Sequence, residues 1–420
     1  MNILLFMKNL LNFRRSSIII FSIISLCFIL IRCIDSGNKK NDQPVSENPE
    51  FSQFVGSATC AKCHKEIYDS FTLTSHALTS QIVNEKNVNG PFEKGSNIFH
   101  YSHDIFVSME KTDSGFYEVE HNDDKETVLG RIDIGIGSGN KGKTYLTWKN
   151  DYLYQLQVSY LTSIHGWVNS PGANTEFLVN RIVMPRCLEC HSTYAGNITL
   201  GFGGKKFDPT QIIYGVGCEK CHGAGAMHVK YQTEHPNATT AKYIINPGTF
   251  SRQLSVDFCR SCHGGGIKSI KPPFTFKAGD KLTDYFMIDT AGKNAGIDVH
   301  GDQYDLLAKS KCFRTSSLTC LSCHNTHDNE RGNIALFSQR CINCHNQEHG
   351  TFCTIKSESV AAISSNCIDC HMPVQKSKLI EMKLSNSDRM DAATLRTHYI
   401  AIYPDATKKY LAKITATTPK

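Results

Sequence analysis

The sequence predicts a mainly α protein with long loops and little regular secondary structure, interrupted by one inserted antiparallel β region. Three observations point there. Seven pairs of cysteines two residues apart are each followed at once by histidine: CAKCH, CLECH, CEKCH, CRSCH, CLSCH, CINCH and CIDCH, ending at His64, His191, His222, His263, His324, His345 and His371. No such motif lies between His64 and Cys187, where the texture turns to short alternating runs rich in β-branched and aromatic residues. Seven such motifs in one chain leave roughly 55 mature residues for each, so little regular structure is expected between them.

Cys-x-x-Cys-His is the attachment signature of c-type haem. The chemistry needs that spacing. The thiol pairs Cys60 and Cys63, Cys187 and Cys190, Cys218 and Cys221, Cys259 and Cys262, Cys320 and Cys323, Cys341 and Cys344, and Cys367 and Cys370 add across the vinyl groups on one porphyrin edge. The histidine that follows swings under the ring to ligate the iron. Zinc ribbons and disulfides also use Cys-x-x-Cys, but neither requires histidine directly afterwards. Chance, at this chain's own Cys and His frequencies, supplies about 0.03 such motifs. Seven covalent haem c groups are therefore expected. Some 385 mature residues leave roughly one haem per 55, so stacked porphyrins must supply much of the apolar core.

The elements follow in order. Residues 1–32 read as an export leader: Arg14 and Arg15 precede the apolar run SSIIIFSIISLCFILI, and a start at Met7 would give it a more ordinary length. The run is short for a membrane span. Covalent haem is attached after crossing the membrane, which favours the general secretory route over the twin-arginine route that carries folded proteins. Residues 33–50 form a polar linker that opens on Cys33, where a lipoprotein places its lipidated cysteine, although Arg32 is an unfavourable residue before such a site. A periplasmic or cell-surface protein, lipid-anchored through Cys33, is the expectation.

Residues 51–97 hold the first haem site and a helix over KEIYDSFTLTSHALTSQIV. Residues 98–162 are the antiparallel β insertion, with strand-like runs such as IFVSMEK, GFYEVEH and LYQLQVSYL. Inside it GSGNKGKT satisfies a phosphate-loop pattern, but strand-like sequence follows where a phosphate site needs a helix, so it reads as a hairpin loop. Residues 163–265 carry three motifs, Cys187 and Cys218 opening one pair. Residues 266–305 are a connection, residues 306–375 hold three closely spaced motifs, and residues 376–420 are a tail offering a ligand at His398.

The net charge of +6 does not indicate nucleic acid. The leader carries four of those charges, leaving about +2, and with fourteen propionates and seven ferric irons the holoprotein comes to about −5 oxidised and about −12 reduced.

Function turns on the second face of each iron. Two protein ligands make an electron carrier, whereas one open position lets a haem bind and transform a substrate. Eleven histidines lie outside the motifs. His76, twelve residues beyond His64, would stand about 18 Å away along a continuous helix and must serve another haem. His327, three residues after His324, is separated by the porphyrin from the far face of that iron and should reach a neighbour. His228 follows GAGAM, whose glycines let the backbone turn toward an adjacent porphyrin. His100, His103, His121 and His235 are poor candidates, the first three falling in the β insertion. Met184 and Met372 are thioether alternatives, Met372 more in keeping with packing. Cys312 and Cys353 either pair or stay as small buried residues.

GSATCAKCHKEIYDSFTLTSHA resembles the opening of the cytochrome c-554 family, and GCEKCHGAGAMH its CHGPGxxH element with Ala224 in place of proline. WVNSPG, CLECHSTYA, CLSCHNTH, CIDCHMP and RTHYIAIYP resemble a broader group of exported multihaem cytochromes with a β insertion. The resemblance implies His76, His228, His327 and His398 as distal ligands, with His165, His300 and His349 as further candidates. The expected function is electron transfer through closely stacked, mostly bis-histidine haems, more in keeping with a carrier than an enzyme. Its partners would be a membrane quinol dehydrogenase or an exported cytochrome or reductase, and no nucleic acid. The alternative is an oxidoreductase acting on a small nitrogen or sulfur compound, of the nitrite, hydroxylamine or tetrathionate class, at one five-coordinate haem.

Overall fold

The computed structural model describes residues 50–172, 176–199, 205–289, 297–355, 360–387 and 389–417. The leader and the linker up to residue 49, with Cys27 and Cys33, lie outside the described residues. No helix among the described residues is long and apolar enough to cross a membrane.

The expectation of a mainly α protein is wrong. Helix and strand are nearly balanced, at 29% and 28%, and the molecule is mixed α/β with several antiparallel sheets. The strands begin with β1 (Ser80–Ile82), β2 (Ile98–His100), β3 (Ile105–Thr112), β4 (Gly115–Asn122), β5 (Lys125–Arg131), β6 (Ile134–Ile136), β7 (Gly142–Lys149), β8 (Tyr152–Leu161), β9 (Gly166–Asn169) and β10 (Arg181–Ile182). One sheet has the order β2-β3-β4-β5 and the other β1-β6-β7-β8-β10, with β9 also on β8. Strand structure is not confined to the insertion. β11 (Ser192–Thr199) pairs with β12 (Lys205–Tyr214), β13 (Ile267–Ser269) with β14 (Phe286–Ile288), and β15 (Val374–Lys383) with β16 (Met390–Arg396), each antiparallel.

Local chemistry explains the hairpins. Asn150 and Asp151, between β7 and β8, both take positive φ, 51° and 65°, the backbone of a two-residue turn that matches strand twist. Residues 137–141 of the phosphate-loop look-alike join β6 to β7, and strand follows rather than helix. Phe99, Val107, Met109, Phe116, Tyr145, Leu156, Val158 and Trp167, drawn from both sheets, form one core. Each large side chain so buried is worth about 1.5–3 kcal/mol.

A second cluster joins Ile134, Leu146 and Leu153 of the sheet to Leu188 inside CLECH and to Ala195 and Phe207 of the β11–β12 hairpin. The sheet thus carries the second motif as a rigid attachment. A third cluster, Leu161, Val168 and Met382, fastens β15 to the same sheet.

Helices are short, and four of those described end at a motif histidine: α1 (Ser57–Cys60), α2 (Lys65–Phe71), α3 (Pro185–His191), α4 (Cys218–His222), α5 (Ala226–Glu234), α6 (Arg252–His263), α7 (Gln303–Leu307), α8 (Lys311–Arg314), α9 (Ile334–Ile342), α10 (Val360–Ser365), α11 (Ile368–His371) and α12 (Pro404–Thr417). The long helix expected after His64 stops at Phe71, and its end becomes β1. The run Thr72, Thr74, Ser75 and Thr79 explains this: hydroxyls and β-branches compete with helical hydrogen bonds.

Glu118 in β4 is fully buried, and its carboxylate accepts from the Gln157 and Val158 amides, the first at 2.9 Å. Burial pushes its pKa up to about 8 from 4.5, against the pull of those amides and of Arg181. A carboxyl with a raised folded pKa contributes stability that is complete below the unfolded pKa and is lost as pH rises through the folded one. Glu118→Gln should therefore raise the thermal midpoint at pH 9 while changing little at pH 4, the gain bounded by roughly 5 kcal/mol. Equal shifts at both pH values would contradict this.

Candidate haem-binding sites

An imidazole nitrogen sits about 2 Å from a transition metal, with the ring centre about 1 Å beyond, so two imidazoles on opposite faces of one iron have centroids roughly 6 Å apart. Three pairs meet that condition. His76 and His263 are 6.1 Å apart, His222 and His327 6.0 Å with ring planes within 11°, and His324 and His398 6.3 Å. Each joins one motif histidine to one from outside its own motif, so no proximal histidine faces a histidine of its own segment.

Specific contacts hold these rings. The His76 carbonyl accepts from the Val216 amide at 2.9 Å. Beside it Gly215 has φ of +71°, and a Cβ there would lie 2.2 Å from the Ala77 carbonyl oxygen, so only glycine fits. Ser70 Oγ donates to the His327 carbonyl, and Ser310 Oγ donates to the His398 carbonyl while accepting from the Ile400 amide. Burial lowers the pKa of His76 and His324 and pushes His398 down to about 4, with His324 and His263 adding repulsion at His398. Neutral imidazole is the form that ligates a metal. Nδ1 of His398 is buried with no hydrogen-bond partner of good geometry, although the Arg396 backbone lies near enough to favour protonation slightly.

Several rings are oriented through Nδ1, which leaves Nε2 for iron. Nδ1 of His222 donates to the Ile245 carbonyl and that of His371 to the Ala401 carbonyl, both at 2.9 Å, and Nδ1 of His191 lies 2.8 Å from the Thr79 hydroxyl. His228, in α5, donates to the Lys242 carbonyl at 2.9 Å. Its helix packs on residues 51–53, and buried Glu219 accepts from the amides of Val55, Gly56 and Gly225 at 2.8–2.9 Å. These bonds tie the His64 motif, the His222 motif and the start of α5 into one unit.

His300 and His191 repel each other electrostatically when charged, and burial lowers the pKa of both. His300 also keeps exposed surface, as do His263 and His324. Rings crowded by protein yet open at one side suit a flat partner laid across them. The exposed apolar residues agree: Ile67, Leu73, Met227, Leu321 and Ile402 all lie within five residues of a paired or motif histidine, Ile402 being 79% exposed. These residues fit haem.

Other candidates lie elsewhere. His165, in a left-handed turn after β8, is exposed, with Nδ1 3.3 Å from the Tyr160 hydroxyl. No ring contact brings it to a motif histidine. His349 is exposed, its amide bonded to Asn346. His100 and His121 lie against Phe106, His103 pairs with Asp104, and His235 stacks on Tyr231. Met184 precedes α3 and Met372 follows α11. Cys312 and Cys353 are unpaired thiols, Cys312 beside Cys323 and Cys341, Cys353 beside Cys370.

Contacts between motifs were not legible from spacing. The Cys60 thiol lies beside that of Cys218, Cys190 beside Cys262, Cys259 beside Cys320, and Cys341 beside Cys367. Cys221 lies within electrostatic reach of Cys259 and Cys262, and Cys323 of Cys341. The expected pairing of the Cys187 and Cys218 motifs is replaced by Cys218 with Cys60, because α1 packs on α4.

Residues 59–99 and 159–223 match the family profile of cytochrome c554 and c-prime. Those segments hold the first three motifs and His76. The fold is similar to that of a solved structure, the outer cell wall cytochrome OcwA, at 17% identity over 85% of this chain and 82% of that one, with a TM-score of 0.53. Together the two matches support a multihaem c-type cytochrome. No curated protein matches the chain. The multihaem assignment agrees with the paired histidines, and when bound, haem c supplies one-electron chemistry at its iron.

Proposed function

We propose that this multihaem cytochrome carries seven haem c groups and conducts electrons between redox proteins outside the cytoplasm. The observation that carries the reading is the series of contacts between motifs. They run from the His64 motif to those of His222, His263, His324, His345 and His371, with the His191 motif branching at His263. Attachment edges this near one another would bring successive porphyrins close together. The chain's own part is to fix the order of the haems and to hold two imidazoles on the irons at His222, His263 and His324. His228 and His300 serve the irons at His64 and His191.

Intact-mass measurement of the holoprotein should give seven covalent haems; six or fewer would sink the count. Addition of one electron equivalent in a rapid-mixing experiment should produce partial reduction of all haems in a single phase. A haem that reduces separately and slowly would contradict a continuous conductor.

The partners are an electron donor such as a membrane quinol dehydrogenase and an exported cytochrome or reductase as acceptor. Cys33 anchors the chain to lipid. Cys33→Ser should then move the protein from the membrane fraction to the soluble exported fraction, and an unchanged distribution would argue against lipidation.

A further inference from the structure

We propose that the haem held by Cys341 and Cys344, with His345 as its proximal ligand, receives no second ligand from this chain and offers its distal face to a small exogenous ligand. The inference rests on the seven-haem reading and concerns one haem within it. All the chain's histidines fall among the described residues, so the distal ligands can be assigned by elimination. His76, His327 and His398 stand opposite His263, His222 and His324. His300 lies within electrostatic reach of His191 and His263, and α5 carries His228 to the His64 unit. His100, His103, His121 and His165 belong to the β region and its turns, and His235 is stacked on Tyr231. His349 alone remains for the two irons at His345 and His371.

His349 cannot return to the iron of His345. Thr351 Oγ1 donates to the Cys344 carbonyl at 2.9 Å, the Thr351 amide donates to the Asn346 carbonyl at 3.1 Å, and the Thr351 carbonyl lies 3.3 Å from His345 Nδ1. The loop from 346 to 350 is therefore closed on the Nδ1 side of the imidazole. Iron binds at Nε2, on the opposite side, and the porphyrin lies beyond it. His349 sits in that loop, separated from the distal face by its own haem. His327 follows His324 with similar spacing and meets the same restriction, and it is found facing His222.

Sulfur ligands do not fill the position either. Among the described residues Met109 and Met382 are buried in apolar clusters, Met184, Met227 and Met372 adjoin the His191 motif, His228 and His371, and Met287 and Met390 sit in the β13–β14 and β15–β16 hairpins. Cys312 lies within electrostatic reach of Cys323 and Cys341, thiols of the attachment edges themselves. A ligand presenting one nitrogen, carbon or oxygen donor atom and no bulk fits this position. The site lies in series between the His324 and His371 haems.

The test uses carbon monoxide on the dithionite-reduced holoprotein and electron paramagnetic resonance on the oxidised one. Seven haems by mass, a high-spin ferric signal of at least one haem, and carbon monoxide uptake of the same amplitude are expected. The double variant Cys341→Ala, Cys344→Ala should lose one haem by mass and one haem equivalent of both signals. The milder variant Cys344→Ala leaves a single thioether, and the carbon monoxide-bound haem should then show the shifted band of that species. A mass short of seven overturns the seven-haem reading. Seven low-spin haems that take up no carbon monoxide overturn the open site alone, as does a carbon monoxide-bound band unchanged in Cys344→Ala.

Discussion

Replacing His76 with alanine should convert one ferric haem from low to high spin and leave the remaining haems as they are. The ring stands 6.1 Å from that of His263, and protein crowding already holds it in the neutral form. Of the other histidines that feel His263 electrostatically, His324 and His398 stand 6.3 Å from each other, and His300 and His191 are paired with each other in the proposed ligand set. Loss of a strong axial ligand removes the field that keeps iron low-spin and raises the potential of that haem. Because the His263 haem lies where the branch from His191 meets the main series, electron equilibration should slow for the whole molecule. His327→Ala and His398→Ala should each give the same one-haem change at His222 and His324. An unchanged spectrum in His76→Ala would mean that His263 has another partner.

The second large effect belongs to a carboxylate that touches no iron. Glu219 lies inside CEKCH, buried, and accepts three backbone amides: Val55 and Gly225 on one oxygen, Gly56 on the other. Glu219→Ala leaves three amides without acceptors at a cost on the order of 3–6 kcal/mol. The damage should be local as well as global, since those amides position the first motif and the start of the helix that bears His228. A lower thermal midpoint should therefore appear together with a second high-spin population, from the His64 haem. Glu219→Gln keeps one acceptor oxygen, able to serve Val55 and Gly225, and should recover most of the stability. Loss of stability with no change in spin state would separate Glu219 from the placement of His228.

The seven candidate attachment points could be read from the sequence, because covalent chemistry demands fixed spacing and each motif carries it. Part of the reasoning on the far-side histidines rested on distance alone. Exclusion by distance forbade His327 from serving its own iron, and the structure turns it to His222. The partner of each ring was not legible, because partners lie as much as 187 residues apart, as with His76 and His263, and local pattern carries no information about such a meeting. His165 was overrated for a related reason: a turn histidine beside a strand end looks alike in sequence whether it faces a porphyrin or a tyrosine hydroxyl. The fold class failed where sheet and motif share residues. Ser192–Thr199 starts directly after His191, and a reading centred on the motif gave that segment to loop rather than strand. The helix over residues 65–83 failed because apolar spacing outweighed a run of hydroxyl residues that ends it at Phe71.

The thiol contacts that align the porphyrins also set a constraint on biogenesis. Without haem, the neighbouring Cys60 thiol lowers the pKa of Cys218, and that of Cys341 lowers the pKa of Cys367. Thiolates held against thiols are primed for oxidation, and compartments outside the cytoplasm are oxidising. One cross-link between Cys60 and Cys218 would disable two attachment sites at once. Oxidation of the haem-free chain should therefore cross-link Cys60 to Cys218, visible as a mobility shift on a non-reducing gel.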